Sequence, residues 1–422
     1  MSIPVIETRS SCTDDYDPMS LSCDEALRRI LASVKPVSGT ETVPTAEALE
    51  RVLAADIVSG MNVPAHTNSA MDGYAIRGSD VPREGLSELT VVGAAFAGRP
   101  FGEPVRAGEC VRIMTGAPLP PGTDTVVIQE HVERLGDRIR LDGTPKARDN
   151  VRYAGEDIKA GQMILNAGRR LTPADIGLLA SLGIGAVTAF RRLRVAFFST
   201  GDELKPIDEP LGPGDVHDSN RYTLRGMLTR LGAAITDLGI VRDTPEQTRE
   251  AFETATGGHD VVISSGGVSV GEADFVKQTL AALGAVQFWK VAMKPGRPLT
   301  FGHVRDAVFF GLPGNPVSVM VTFYQFVQPA LRRMMGESVT QPLLYKATCR
   351  SKLKKKPGRV EYQRGVLTQE ADGSLSVSKT GMQGSGILTS MSSANCFIIL
   401  AQDSGGVEPG AIVDVQPFAG LI

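Results

Sequence analysis

Between residues 193 and 336 the chain switches repeatedly between two hydrophobic rhythms. "LRVAFFST", "AAITDLGIV", "DVVISS", "VQFWKVAM", "PLTFGHV" and "AVFFGL" are short, nearly continuous apolar runs. Between several of them lie amphipathic stretches: "SNRYTLRGMLTRLG", "PEQTREAFETATG", "EADFVKQTLAALG" and the long "NPVSVMVTFYQFVQPALRRMMG". A strand that is apolar on both faces must be covered on both faces. Alternation with helices therefore predicts a mostly parallel α/β sheet sandwiched between helical layers.

The flanks read differently. Residues 1–19 are polar and irregular, a loose tail. In "SCDEALRRILASV" Ser22 and Glu25 form a capping box and Leu27, Ile30, Leu31 and Val34 recur at helical spacing. From Pro64 to Asn150 short alternating stretches such as "LTVVGAAF" and "DTVVIQEHVERL" are cut by Gly/Pro turns, which predicts a small β unit. A helix returns at "LTPADIGLLASLG", with Thr172 as N-cap, Pro173 at the first helical position and Gly183 at its end. From Leu343 onward the stretches are strand-like with no good helix, a second β domain. The expected plan is a multidomain α/β plus β chain. Its helical domain is discontinuous (20–63 and 151–192), with an inserted β domain (64–150), an α/β domain (193–340) and a C-terminal β domain (341–422).

At 422 residues this is more than one core. A net charge of −3 gives no nucleic-acid footprint. The five cysteines are scattered without a C-x-x-C pair, which argues against a zinc ribbon and fits a reducing compartment. No secretory signal and no bilayer-length apolar run are read. A cytoplasmic protein is expected, with neither nucleic acid nor membrane as partner.

In a parallel sheet, ligands bind at the carboxyl ends of strands, in the loops leading to helices. Loops "STGDEL", "VRDTP", "SSGGVSVGEAD" and "GLPGNP" fall there. The third is neither a nucleotide P-loop nor a dinucleotide fingerprint. Gly266 and Gly267 can bring backbone N–H groups close to an anion, yet Glu272 and Asp274 follow in the same loop. Two readings stand: a tight strand–helix turn with acids favouring the helix start, or an anion cradle in which a divalent cation takes carboxylate and phosphate oxygens together. In "FWKVAMKPGRP", extended backbone sets Lys290 and Lys294 on one face, with Arg297 nearby; an oxyanion clamp is favoured over surface lysines. In "GLPGNP", Asn315 suits an N-cap and Pro316 the first helical position, which explains both without a ligand. Asp72, Thr115 and the "RYAGEDI" acids make no catalytic set by themselves. The basic run Arg350–Arg359 reads as a solvated face, and "GMQGSGILTS" as either a hairpin or a set of backbone donors.

Taken in order, "NSAMDGYA", "RIMTGAPLPPGTDTVV", "STGDEL", "DSNRYTL", "SSGGVSVGEADF", "MKPGRP" and "GLPGNPVSVMVTFYQFVQPAL" strongly resemble the molybdopterin molybdenumtransferases, the MoeA family that includes the E domain of gephyrin. The resemblance covers residue 20 to the C-terminus. It implies a homodimer of four-domain chains, with an α/β molybdopterin-binding (MogA-like) module and a C-terminal β-barrel. The implied reaction takes adenylylated molybdopterin and molybdate, with Mg²⁺, and releases AMP. Carried over by motif, Asp274 and Glu203 would hold the metal. Gly266, Gly267, Ser269 and Gly271 would cradle phosphate. Lys290, Lys294 and Arg297 would attract molybdate or steady the leaving AMP. Asp243, Pro313, Gly314, Asn315 and Pro316 would line the pocket. Asp72, Thr115 and Asp157 would complete a cleft in trans across the dimer. Adenylyltransferase and molybdoenzyme partners are implied as well.

Two rival functions stay open from the sequence. A molybdopterin adenylyltransferase shares the α/β module but not the other domains. A gephyrin-like scaffold shares the architecture but has no need of acids and lysines together at strand ends.

Overall fold

The computed structural model describes residues 20–266, 280, 284–338 and 341–418. At its centre is a six-stranded sheet of β1 (Arg194–Thr200), β2 (Ala234–Val241), β3 (Val261–Ser265), β4 (Gly284–Lys290), β5 (Pro298–Val304) and β6 (Ala307–Leu312), in the order β2-β1-β3-β6-β5-β4. β1, β2, β3 and β6 are parallel; β5 alone runs against its neighbours. Alternate residues serve opposite layers. Val195, Phe197, Val261, Ile263, Phe310 and Leu312 face helix Ser219–Leu231 and the long helix after Asn315. Ala196, Phe198, Val262 and Phe309 face helix Pro245–Thr256. Burial on both faces is why these strands read as unbroken apolar runs.

The long helix runs from Pro316 to Met334 through one wide turn at Phe323–Val327. Pro329 explains the widening. Its ring would clash with the Gln325 carbonyl and it has no N–H to donate, so a π-type turn relieves the strain without ending the helix.

The remaining elements are β-rich. Strand Thr40–Pro44 pairs with Ala186–Phe190, and the two-residue pairs Ile57–Val58 with Met163–Leu165 and Asn68–Ser69 with Val151–Arg152 follow inward along the chain. Between these paired segments lies a second six-stranded sheet, with strands between Gly73 and Asp142. The helix Pro173–Ser181 carries a full capping box, Thr172 with Asp175. The box expected at Ser22 is only half made. Ser22 accepts from Glu25 N, but the Glu25 carboxylate turns to Arg28 and Arg29. Helix Cys23–Ser33 shares the core of the central sheet, through Ala26, Ile30 and Val34.

At the C-terminal end, Val360–Gln369 pairs with Leu375–Lys379 and with Cys396–Leu400; Tyr345–Cys349 and Ile412–Pro417 complete the ring. The result is a closed five-strand barrel, with Met293–Lys294 added outside it against Val360–Glu361. One short helix, Thr389–Ser392, interrupts a region read as strands alone.

Candidate active site

The connections out of β1 and β3 leave in opposite directions: β1 leads to β2 on one side, whereas β3 leads towards β4 on the other. A crevice opens at such a switch point, beyond the carboxyl ends of the two strands. Ser199 lies beside Ser265 across it.

Gly266 ends β3 with φ +88°. A Cβ there would come within 2.4 Å of the Thr200 carbonyl oxygen, so both conformation and space demand glycine. Across the crevice Glu203 follows Gly201, and its carboxylate folds back over that glycine, 2.6 Å from where a Cβ would stand. Asp243 approaches from the end of β2: its N–H donates to Asp202 Oδ1 at 3.3 Å, while Arg242 donates to the Asp202 carbonyl at 2.8 Å. Gly267, Ser269, Gly271 and Asp274 lie outside the described residues.

Helix Ser219–Leu231 begins at this crevice. Its N-cap, Asp218, is 1% exposed and accepts from Arg221 N at 3.1 Å and from the Ser199 hydroxyl at 3.0 Å. Asn220, in the first turn, is the cross-brace. Its Nδ2 donates to Ser265 Oγ at 2.9 Å and to the Gly314 carbonyl at 2.7 Å. Two loops expected to line a pocket are thus tied together by a residue for which the sequence reading named no role. The buried Asn220 Oδ1 and the hydroxyls of Thr200 and Ser264 find no hydrogen-bond partner among the described residues. Buried polar atoms are usually paired, so among the described residues these three keep unmet hydrogen-bonding capacity near the strand ends.

Pro313 and Gly314 contribute carbonyls to this brace, and Ser265 Oγ stands 3.5 Å from Pro313 O. Asn315 occupies the N-cap position of the long helix, as its place before Pro316 predicts, but its side chain caps nothing. The barrel supplies a substitute: Val317 N donates to the Ser385 carbonyl at 3.0 Å. "GMQGSGILTS" therefore presents a backbone acceptor, to this helix.

The two lysines do not share one extended strand, which corrects the expectation. Lys290 ends β4 opposite Pro298. The backbone then bends, with Val291 N donating to the Arg297 carbonyl at 2.8 Å, and Lys294 lies in the short strand paired with the barrel. Gly296, at φ +99°, closes the bend. Leu21 braces it from the other side, its N–H on the Lys290 carbonyl at 2.8 Å. Lys294 Nζ stands 3.4 Å from Glu361 Oε1.

In the other β sheet, Asp72 Oδ1 accepts from both the N–H and the hydroxyl of Thr115, each at 2.8 Å. Those two donors hold the exposed Asp72 carboxyl below its ordinary range. Asp157 is exposed, and its backbone N–H donates to Val63 O at 3.1 Å.

Sequence reasoning also passed over Arg364. It is 1% exposed, with Nε on Ser390 Oγ at 3.0 Å and a terminal nitrogen on the Gly384 carbonyl at 3.1 Å. Burial pushes its pKa down to about 10, so it stays charged at neutral pH while fixing the loop that caps Val317. The basic run divides: Lys352 pairs outward with Glu408, whereas Lys355 turns in to the carbonyls of Gln402 and Ser404.

Comparison with known proteins agrees with this fold. The sequence matches the MoeA N-terminal region (domain I and II) over residues 21–183, a probable molybdopterin binding domain over 196–333 and the MoeA C-terminal region (domain IV) over 346–418. It is 33% identical to a gephyrin of Dictyostelium discoideum, spanning 92% of this chain and 61% of that one. A crystal structure of the molybdopterin biosynthesis MoeA protein from Pyrococcus horikoshii superposes with a TM-score of 0.83 at 30% identity, covering 94% of this chain and all of that one. The molybdopterin molybdenumtransferases of Haemophilus influenzae and Nostoc are 44% and 38% identical, across 95% and 91% of this chain and 100% and 91% of theirs. By that identity over nearly its whole length, this chain belongs to the molybdopterin molybdenumtransferase family.

Proposed function

We propose that this protein inserts molybdate into adenylylated molybdopterin and releases AMP. The phosphoanhydride is cleaved by net addition of water, AMP leaving with its phosphate. The two dithiolene sulfurs replace two molybdate oxygens, which depart as water. The observation that carries this reading is the crevice at the β1–β3 switch point, bordered by Glu203, Asp243 and the left-handed Gly266, in a chain of this family.

In this reading Gly266, together with Gly267, Ser269 and Gly271, receives phosphate on backbone N–H groups. Lys290, Lys294 and Arg297 draw the oxyanion and balance charge developing on AMP. Asn220 keeps Ser265 and the Pro313–Pro316 turn at fixed separation, so the pterin end and the phosphate end of the substrate meet a rigid wall. Asp243 holds its place beside Asp202 at the mouth.

Glu203 and Asp274 are proposed to hold Mg²⁺. No group of three metal-ligating side chains occurs among the described residues, and Mg²⁺ asks for none. It keeps several waters and takes one or two carboxylates together with substrate phosphates, and Glu203 at the crevice is such a donor. When bound, the cation would supply Lewis-acid polarisation of the anhydride.

A homodimer is proposed in which Asp72, Thr115 and Asp157 complete the cleft of the neighbouring subunit. Support lies in the Asp72–Thr115 pair, an ionised carboxylate pre-set on an exposed surface. Described cysteines are unpaired, which supports a cytoplasmic setting, with an adenylyltransferase delivering substrate and molybdoenzymes accepting product.

The test is AMP release from adenylylated molybdopterin with and without molybdate and Mg²⁺. Molybdate-dependent release that reconstitutes a cofactor-free molybdenum enzyme is the expected result. Tight binding without turnover would favour a gephyrin-like scaffold, and formation of the adenylylated pterin from ATP would favour an adenylyltransferase.

A further inference from the structure

The strand Val360–Gln369 belongs to the barrel, yet its first residues pair in parallel with Met293–Lys294. That register sets Glu361 beside Lys294, Oε1 lying 3.4 Å from Nζ. Glu361 is 6% exposed, and its other oxygen accepts from Gln363 Nε2 at 2.9 Å. A carboxylate so far from water persists only where cations and donors answer it. Lys294 is the cation in contact, and the charges of Lys355 and Arg364 stand within its field.

The pair is lopsided. The Lys294 side chain is 46% exposed whereas that of Glu361 is 8% exposed. The carboxylate is anchored in the barrel wall, and the lysine is the more exposed partner. A lysine left to itself samples many rotamers, so its charge is spread over a wide arc. An anchored acid removes that freedom.

We infer that Glu361 is a positioning residue. From the barrel it fixes the Lys294 ammonium where the incoming oxyanion is met. This rests on the reading above in which Lys294 meets molybdate or the leaving AMP. The effect is one of placement, because the carboxylate also cancels part of the lysine's charge. Were charge alone at stake, losing Glu361 would tighten anion binding. Were placement at stake, losing it would weaken binding.

The experiment measures molybdate-dependent AMP release by the full chain as parent, Glu361→Gln, Glu361→Asp, Lys294→Met and the Glu361→Gln/Lys294→Met double variant. Glu361→Gln keeps size and hydrogen bonding while removing the charge. It is expected to raise KM for molybdate roughly tenfold, the size of coupling seen between members of one ion pair, with a smaller change in kcat. Glu361→Asp should recover part of the loss. In the Lys294→Met background, Glu361→Gln should change nothing further, since its action passes through that lysine.

A structural role in the barrel would instead cost the same in both backgrounds and would appear as a lowered unfolding midpoint. That result overturns the inference, as does an unchanged or lowered KM in Glu361→Gln. A Lys294→Met variant as active as the parent, or a parent without molybdate-dependent release, overturns the site reading and this inference with it.

Discussion

The Asn220 amide nitrogen lies 2.7 Å from the Gly314 carbonyl oxygen. This single contact joins the first turn of one helix to the loop that starts another. Since the same nitrogen also serves Ser265, truncation removes two hydrogen bonds at once and leaves the buried Ser265 hydroxyl short of a donor. Asn220→Ala is expected to destabilise the protein by about 1–3 kcal/mol, measured by urea unfolding. AMP release should fall more than stability does, since Ser265 and Gly314 border the crevice.

Gly266→Ala should be worse tolerated than alanine at an open glycine such as Gly185, where nothing lies within 4 Å. The added methyl group meets the Thr200 carbonyl at 2.4 Å and the backbone is left-handed. A cost of roughly 1–3 kcal/mol follows from strain of this kind. Paired thermal unfolding of the two variants checks it. Equal melting temperatures would contradict the packing described at the crevice.

Asp72 owes its lowered pKa first to the Thr115 N–H and then to the Thr115 hydroxyl. Thr115→Val keeps the first and removes the second, so the Asp72 carboxyl should titrate higher than in the parent yet still below its ordinary value. NMR titration of the side-chain carboxyl reads this directly. Activity at acidic pH should fail earlier in the variant if the ionised form serves the cleft.

Asp260 receives the Arg191 fork in two contacts of 2.7 Å and Arg194 N at 2.8 Å. Burial by itself would raise its pKa from 3.8, but these donors outweigh it and the net shift is downward. The folded state therefore holds the ionised form more firmly than the unfolded chain does. The stabilisation is fully present above the unfolded value and is lost as pH falls through the folded one. Asp260→Asn should cost about 2 kcal/mol at neutral pH and flatten the loss of stability below pH 4, checked by unfolding across an acid series.

Much of the α/β architecture was legible because burial on both faces writes an unbroken apolar strand, and strand ends followed by Gly and acid announce a crevice. The loops that carry Glu203 and Gly266 were nominated this way, whereas the roles of Glu203 and Asp243 came from the family resemblance and stay proposals. What stayed hidden depends on tertiary context. "VEYQRG" alternates like a solvent-facing strand, yet Glu361 and Arg364, on opposite faces, are both buried: the Lys294 strand packs beside the first and the 380–390 loop covers the second. Lys290 and Lys294 read as one extended run, but the turn at Gly296 folds the backbone back on itself. Asn315 had the residue type of a cap and lost the role to Ser385, 70 positions on. Local chemistry nominates such residues. Only the neighbouring element decides what they do.

The pairing of Asn68–Ser69 with Val151–Arg152 has an architectural consequence. It pins the outgoing and returning chain at one doorway, so everything beyond behaves as a cassette clipped into a host. Replacing the cassette by a tight turn asks the host to close only a short loop, a small entropic charge. The host can therefore exchange or lose this appendage while the switch-point crevice of its own subunit keeps its form, and only the Asp72–Thr115 pair proposed for the neighbouring cleft leaves with it.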